Sequence, residues 1–194
     1  MAKHDGRLVD PRRVSAILTV VLLAACGTEG SGPSPSPANT VALNTASASL
    51  TAIGDTVRLF ATAWDGMGNE VIGPSIIWYS SNPSVAVVSD LGTVMATGNG
   101  TTKIFVQWDN ASDSASIQVH QVPDSISLGS PPTWMFVGDT LRFAATVFDA
   151  NDAVITGAPV SWSSSDVAIA TIDGSGLATS RATGTVHFTA NAGN

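Results

Sequence analysis

The sequence has almost no cysteine and little charge. One of its 194 residues is Cys and 12% are charged, whereas 44% are hydrophobic. A single Cys excludes an intrachain disulfide, so the fold must be stabilised by burial of apolar surface and by hydrogen bonds. Because Lys and Glu are few and β-branched residues are many, the composition favours strands over helices.

Positive charge is scarce beyond the first 13 residues. The rest of the chain carries only Arg58, Lys103, Arg142 and Arg181, and the formal net charge is −7. Proteins that bind nucleic acids use clustered Lys and Arg side chains. We therefore expect no nucleic-acid partner.

Sequence motifs of catalysis and metal binding are also missing. His120 and His187 are isolated and lack Cys, His or Glu at zinc-ligand spacing. The sequence contains neither a Gly-x-Ser-x-Gly nucleophile motif nor a phosphate-binding glycine loop. These absences predict a protein that is not an enzyme and uses no cofactor.

Residues 1–25 have the form of a signal peptide. A basic segment precedes the apolar run 14–25, which is too short to span a bilayer as a helix. The junction Leu-Ala-Ala-Cys26 resembles the lipobox of bacterial lipoproteins, and this resemblance implies cleavage before Cys26 and lipidation of that residue. We expect an exported lipoprotein anchored in a membrane at the bacterial cell surface or outer membrane. The alternative is a secretory signal followed by an incidental Cys.

The segment after the signal is rich in Gly, Ser and Pro. Residues 26–40 show no apolar periodicity and contain the run Pro-Ser-Pro-Ser-Pro. Such a composition predicts a flexible tether between the lipidated Cys26 and a folded domain.

The remaining sequence repeats itself with a period of 84 residues. Gly54-Asp-Thr-Val-Arg58 recurs as Gly138-Asp-Thr-Leu-Arg142, and Trp78-x-Ser-Ser recurs as Trp162-x-Ser-Ser. A constant period indicates tandem copies of one folding unit. We assign a first domain to residues 41–121 and a second to residues 122–194.

Within each copy, short alternating segments are separated by Gly, Pro, Asn and Asp. The run 57–64 alternates apolar and polar residues with period two, as does 141–148. This pattern predicts strands with one buried face and places Trp78 and Trp162 in the core. About seven such strands in a copy indicate an all-β sandwich.

The repeated motifs resemble bacterial immunoglobulin-like domains of group 2. They are Gly-Asp-Thr-x-Arg, Ala-Thr-x-x-Asp, Trp-x-Ser-Ser, Val-Ala-x-Val-x-x-x-Gly and Gly-x-Gly-Thr. The resemblance implies two tandem Ig-like Greek-key β-sandwiches. It also implies a non-catalytic surface module for adhesion, binding or spacing. The alternative function is the N-terminal stalk of a longer secreted or surface enzyme.

Two aspartates are weak candidates for calcium ligands. Asp65 and Asp149 occupy equivalent positions at a strand end, just before a turn. Carboxylate oxygens suit Ca²⁺, but aspartates at turn starts commonly accept backbone hydrogen bonds without a metal. We therefore predict no metal site.

Four aromatic residues have outward parity in the predicted strands. They are Trp64, Tyr79, Trp108 and Phe148. Exposed aromatic side chains can contact a protein or glycan ligand. The alternative is that they pack at the junction between the two domains.

The second copy is predicted to lack its last strand. The closing strand of the first copy is 114–119, and its counterpart would begin at 198, beyond Asn194. The backbone of residues 185–190 should then form an unpaired edge, which invites pairing with another chain. We interpret the sequence as a fragment of a longer protein or as a domain that receives a strand in trans.

Overall fold

The structure is a computed structural model that describes residues 39–193. The alternating segments 57–64 and 141–148 form strands in it. Every helix or strand assigned in this range is a β-strand, and the described residues belong to one compact unit. Residues 39–193 include no apolar helix of membrane-spanning length. The predicted signal peptide, the predicted lipidation at Cys26 and most of the predicted tether lie outside the described residues.

The first domain contains nine strands in two layers. They are β1 (Thr40–Leu43), β2 (Ser47–Leu50), β3 (Thr56–Arg58), β4 (Ala61–Trp64), β5 (Ile77–Ser80), β6 (Ala86–Val88), β7 (Thr93–Ala96), β8 (Gly100–Trp108) and β9 (Ala111–Val119). One layer has the order β2-β9-β8-β5, and the other comprises β3-β7-β6 together with β1-β4. Taking β3 and β4 as one interrupted strand, this is the two-sheet Greek-key order of an Ig-like sandwich.

The β2–β9 pair is the one parallel pairing among the described strands. Ser47 lies opposite Ser116 and Leu50 lies opposite Val119. All other strand pairs in residues 39–193 are antiparallel, including the long β8–β9 hairpin. Strand β9 therefore joins β2 to the rest of its sheet.

The core of the first domain lies between its two layers. Its buried members come from both sheets and are mostly aliphatic: Leu50, Leu59, Val85, Ala86, Val94, Ala96, Ile104, Ala115, Ile117 and Val119. Trp78 is half-buried and packs against this cluster, as predicted. Gly92 has a φ of +80°, and a Cβ there would lie 2.9 Å from the Trp78 ring and 2.6 Å from the Leu59 carbonyl oxygen. Glycine at position 92 thus permits close approach of this turn to the core Trp.

The predicted single strand 57–64 is wrong in one respect. It is interrupted at Leu59 and Phe60, where the run leaves its pairing with β7 and begins its pairing with β1. The Leu59 N–H donates to the Gly92 carbonyl, and the Phe60 N–H donates to the Asn44 side-chain oxygen. The alternation continues through the break, so the sequence pattern did not reveal it.

The second domain repeats this order with seven strands. They are β10 (Ser125–Leu128), β11 (Thr140–Arg142), β12 (Ala145–Phe148), β13 (Val160–Ser164), β14 (Ala170–Ile172), β15 (Leu177–Ser180) and β16 (Phe188–Ala192). Their sheets are β10-β12, β11-β15-β14 and β13-β16. Each corresponds to a pairing in the first domain, which confirms the predicted all-β architecture of two tandem sandwiches.

Two strands of the first domain have no counterpart in the described part of the second. Strand β16 pairs with β13 only, whereas its equivalent β8 pairs with both β5 and β9. Residues 131–134, equivalent to β2, form no strand. Since β2 pairs only with β9, the two strands that lack a counterpart among residues 39–193 are partners of each other in the first domain.

Candidate functional site

Asp149 is the most deeply buried charged residue at the junction between the domains, with 1% of its surface exposed. It belongs to the second domain, yet its Oδ2 accepts hydrogen bonds from the Ile53 N–H at 2.9 Å and from Gln121 Nε2 at 2.8 Å. Its Oδ1 accepts from the N–H groups of Asn151 and Ala153, both at 3.0 Å. One carboxylate therefore ties its own turn to the first domain at two places, Ile53 and Gln121.

Gln121 connects this carboxylate to the first domain. Its side chain is buried and its Oε1 accepts a 2.8 Å hydrogen bond from Asn99 Nδ2. The backbone N–H of Gln121 donates to Asn99 Oδ1 at 2.7 Å. Both polar ends of the Gln121 amide are thus satisfied, which fixes its orientation.

Asn151 makes a second bridge between the domains. Its Nδ2 donates to the Ile53 carbonyl at 3.0 Å and to Asp55 Oδ1 at 2.9 Å. Asp55 Oδ2 also accepts from the N–H groups of Thr51 and Ala52 within the first domain. We name Ile53, Asp55, Gln121, Asp149 and Asn151 the junction cluster.

The linker between the domains is held on both sides. The Val122 N–H donates to the Thr51 carbonyl of the first domain, and the Asp124 N–H donates to the Phe148 carbonyl of the second, each at 2.9 Å. No buried side-chain nitrogen or oxygen in the described part of the chain lacks a hydrogen-bond partner. The junction is therefore a satisfied polar interface rather than a free hinge.

Hydrogen bonding stabilises the charged form of the junction aspartates. Burial raises the pKa of Asp149, but the hydrogen bonds from Gln121, Ile53, Ala153 and Asn151 outweigh it, and the pKa lies below its ordinary value. The pKa of Asp55 is also lowered, chiefly by the backbone hydrogen bond from Thr51. Both carboxylates are thus held ionised at neutral pH.

Asp65, the sequence equivalent of Asp149, serves only its own turn. Its Oδ1 accepts from the N–H groups of Met67 and Asn69, both at 2.9 Å, and its Oδ2 accepts from Asn69 Nδ2 at 3.1 Å. The two weak calcium candidates are therefore both occupied by N–H donors. Within residues 39–193, no three His, Cys, Asp or Glu side chains are grouped to hold a metal.

The sequence did not identify Gln121 or Asn151 as functional. A usable signal was present at the repeat offset, because Met67 stands where the second copy has Asn151. Met cannot make the hydrogen bonds of an amide. Asn151 is polar where the matching turn of the first copy has the apolar Met67, and it is Asn151 that hydrogen-bonds to the other domain.

Of the four predicted aromatic contacts, Tyr79 alone is exposed. Tyr79 is exposed, at 45%, and stacks on Phe105 with ring centroids 5.0 Å apart. Trp64, Trp108 and Phe148 are half-buried, so the outward parity assigned to them overstates their exposure. Trp64 and Phe148 end β4 and β12, and each forms an isolated antiparallel bridge to a residue beyond the turn, Glu70 and Val154 respectively.

A groove of about 830 Å³ opens on the side of the second domain. One wall is the segment 131–137 and the other is the segment 184–188, which leads into β16. The floor includes Phe143, whose ring lies 5.2 Å from that of Phe188 between centroids. The groove lies where the first domain has β9.

Residues beside the groove are exposed where their counterparts are buried. Trp134 is 68% exposed, whereas Leu50 at the same place in the first domain is 6% exposed. Phe136 is 69% exposed, and its counterpart Ala52 is 0% exposed. The two aromatic rings make an edge contact with each other at 5.3 Å between centroids.

Comparison with known proteins gives one sequence relative and several solved structures. No family model matches the sequence, so the resemblance to group 2 stays a prediction. Ice-binding protein 1 of Shewanella frigidimarina is 31% identical over 124 residues, which are 63% of this chain and 14% of that protein. The chain thus spans a small part of that relative.

The similar solved structures include domains of a surface-layer protein and of an adhesin. Domains 4 and 5 of the surface-layer protein SbsC are 21% identical, with 80% of this chain and 92% of that chain covered and a TM-score of 0.36. The Escherichia coli adhesin FdeC is 19% identical, with 81% of this chain and 56% of that chain covered and a TM-score of 0.40. The strand order and the repeat described above carry the assignment of the fold.

Proposed function

We propose that this chain is a non-catalytic cell-surface module of a bacterium, anchored through a lipid on Cys26, whose Ig-like domains serve adhesion or spacing. The observation that carries the proposal is the junction cluster, in which Asp149 joins the two domains through a buried, fully hydrogen-bonded carboxylate. A spacer or an adhesive arm has to hold its domains in line. A catalytic protein would instead need a reactive group exposed to substrate.

The chemistry of the aspartates supports a structural role. Asp55, Asp65 and Asp149 all have lowered pKa values, because hydrogen bonds to their carboxylates favour the ionised form. A general acid at neutral pH needs a raised pKa instead. The junction carboxylates are thus suited to holding turns and domains together.

The anchor is supported by the sequence Leu-Ala-Ala-Cys26 after an apolar run. A lipid on Cys26 would attach the module to a membrane, with multiple acyl chains giving stable anchoring. The tether would then hold the two domains away from the membrane, at the cell surface or at the outer membrane. Tyr79 stacked on Phe105 is an exposed aromatic surface suited to a protein or glycan ligand.

A second candidate function is the stalk of a longer surface enzyme. It is favoured by the 14% coverage of the relative, since a similar sequence occurs there as a small part of a much longer protein. Ice binding is named for that whole relative and is not transferred to this chain. Both candidate functions need the junction cluster to hold the two domains together. They differ in whether a catalytic domain is joined to the module.

Fractionation of cells that express Cys26→Ser tests the anchor. We expect the wild type to be found in membranes with a fatty-acid label, and the variant to be unlabelled and either released or unprocessed. Asp149→Ala is the matched variant, because it should keep the label and the membrane location while loosening the two domains. An unlabelled wild type would contradict the anchor, and a wild type whose domains tumble independently would contradict the spacer.

A further inference from the structure

The outer face of the first domain carries an apolar group that the second domain lacks. Ile77 and Tyr79 on β5 are 62% and 45% exposed, and Phe105 on β8 lies opposite Tyr79. In the second domain β13 and β16 pair in the same register, and the residues at these places are Ser161, Ser163 and Thr189. The fold therefore does not require the three apolar side chains, and their exposure indicates a contact surface.

The Tyr79 ring is held in a fixed orientation. It stacks on Phe105 with ring centroids 5.0 Å apart and an angle of 10° between the planes. Because Phe105 covers one face of the Tyr79 ring, the exposed part of the ring lies mainly on its other face and its edge. Strand β5 is the outermost strand of its sheet among the described residues, so this face is turned to the open side. A flat aromatic surface is thus available to a ligand.

Uncharged polar side chains lie beside the two exposed residues of β5. Gln107 lies opposite Ile77 and is followed across the sheet by Ser112, whereas Phe105 is followed by Ser114. Each of these two rows crosses three strands and is about 10 Å long. Gln107 Nε2 donates a long hydrogen bond of 3.5 Å to the Asp109 carbonyl, which a ligand hydroxyl could replace. Amide and hydroxyl groups both donate and accept, as a ligand with many hydroxyls requires.

Charge and size limit what this face can bind. None of the six residues in the two rows is charged, and the nearest cation along β8, Lys103, lies in the next row. The exposed parts of Tyr79 and Ile77 together offer roughly 200 Å². A stable protein interface buries about 800 Å² on each partner, so the apolar patch is small for a second copy of this chain. A small, neutral and hydroxylated ligand fits better.

We propose that this face binds a neutral glycan, and we name it the glycan face: Ile77, Tyr79, Phe105, Gln107, Ser112 and Ser114. The C–H groups on one side of a pyranose ring carry a slight positive charge and pack against the negative face of the Tyr79 ring. Its hydroxyls then bond to Gln107 and Ser112. This inference rests on the proposed adhesive function and names the class of its ligand.

The test uses the full chain with Cys26→Ser, so that no lipid is attached. The probes are β-linked hexamers of glucose and of N-acetylglucosamine, with a hexamer of galacturonic acid as the charged control. In an NMR titration we expect a neutral hexamer to shift the ring signals of Tyr79 and Phe105, to the same extent at low and at high salt. The charged hexamer should leave them unchanged.

Variants taken from the second copy make the test specific. Tyr79→Ser and Phe105→Thr introduce the side chains of Ser163 and Thr189, which the same strands accommodate, and each should weaken binding by about tenfold or more. The matched control is Phe60→Ala, because Phe60 is 59% exposed in the other layer and its counterpart is Ala144. Its affinity should equal that of the wild type. If a variant of the glycan face unfolds the first domain, the ring signals of the wild type decide alone.

Three results would overturn the proposal. They are no binding of either neutral hexamer at millimolar concentration, equal weakening by Phe60→Ala, and binding of the charged hexamer that is lost at high salt. Each would leave the anchor and the junction cluster unaffected, since these are tested by the fatty-acid label and by the tumbling of the domains. An unlabelled Cys26 would conversely contradict the anchor without changing the binding of glycans.

Discussion

The two domains share a strand order but differ in what covers them. Leu50 is buried in the first domain because β9 lies beside it, whereas Trp134, at the same place in the second, is largely exposed. The floor differs as well, since Phe143 and Phe188 replace Leu59 and Ile104. The repeated motifs therefore determine which segments form strands. Whether a side chain at the sheet edge is buried depends on a neighbouring strand.

The turn aspartates Asp65 and Asp149 also show that the same motif can have different surroundings in the two copies. Asp65 and Asp149 hold the same kind of turn through the same Oδ1 hydrogen bonds. Among the described residues, Asp149 also accepts hydrogen bonds from the preceding domain, from the Ile53 N–H and from Gln121, whereas Asp65 accepts them from its own turn. One residue of a repeat can thus act as a local turn or as a junction, depending on the preceding copy.

The largest expected difference between the copies is the loss of stability when a residue at the sheet edge, Leu50 or its counterpart Trp134, is replaced by Ala. Leu50→Ala should reduce the free energy of unfolding of the first domain by about 2–4 kcal/mol, since it leaves a cavity in a closed core. Trp134→Ala should cost the second domain under about 0.5 kcal/mol, because the ring is mostly in solvent. Denaturant unfolding followed separately for each domain measures both. Equal losses would mean that the groove is closed in solution.

A smaller difference is expected at the turn aspartates. Asp149→Ala should cost about 2–3 kcal/mol, because it leaves the part-buried Ile53 N–H without its acceptor and removes the shorter of the two hydrogen bonds that Gln121 Nε2 donates. Asp65→Ala is the control and should cost less, because its hydrogen bonds hold only a solvent-accessible turn. Small-angle scattering should show a broader range of shapes for the first variant only. A similar broadening for Asp65→Ala would contradict the assignment of the junction.

The smallest expected effect is the pH dependence of the junction. The folded pKa values of Asp55 and Asp149 are lowered, so their contribution to stability is complete above the unfolded pKa of about 3.9 and is lost as the pH falls through the folded pKa. Exchange of the Ile53 amide, measured relative to the intrinsic rate, should thus be constant from neutral pH to about pH 4 and faster below. Asp149→Asn should remove the part of this pH dependence that comes from the Asp149 carboxylate. Loss of protection near pH 6 in the wild type would exclude Asp149 as the titrating group.

The sequence predicted the strands and the missing edge because both depend on local pattern and repeat length. It did not predict the break at Leu59 and Phe60, since alternation is the same whether a run keeps one pairing partner or changes to another. It did not predict the junction either, because Asp65 and Asp149 stand in equivalent motifs. Their difference depends on Gln121 and Ile53, which are distant in sequence from the turn.

The parallel pairing of β2 with β9 has a consequence for mechanical load. Tension applied through the chain before β2 and the chain after β9 pulls the two strands of this pair in opposite directions along their axes, from Ser47 and from Val119. The hydrogen bonds of the pair then share the load in shear instead of opening one after another. No such pair is present among the described strands of the second domain, where β16 has β13 as its only neighbour. Under tension the first domain should therefore stay folded until this parallel pair is sheared.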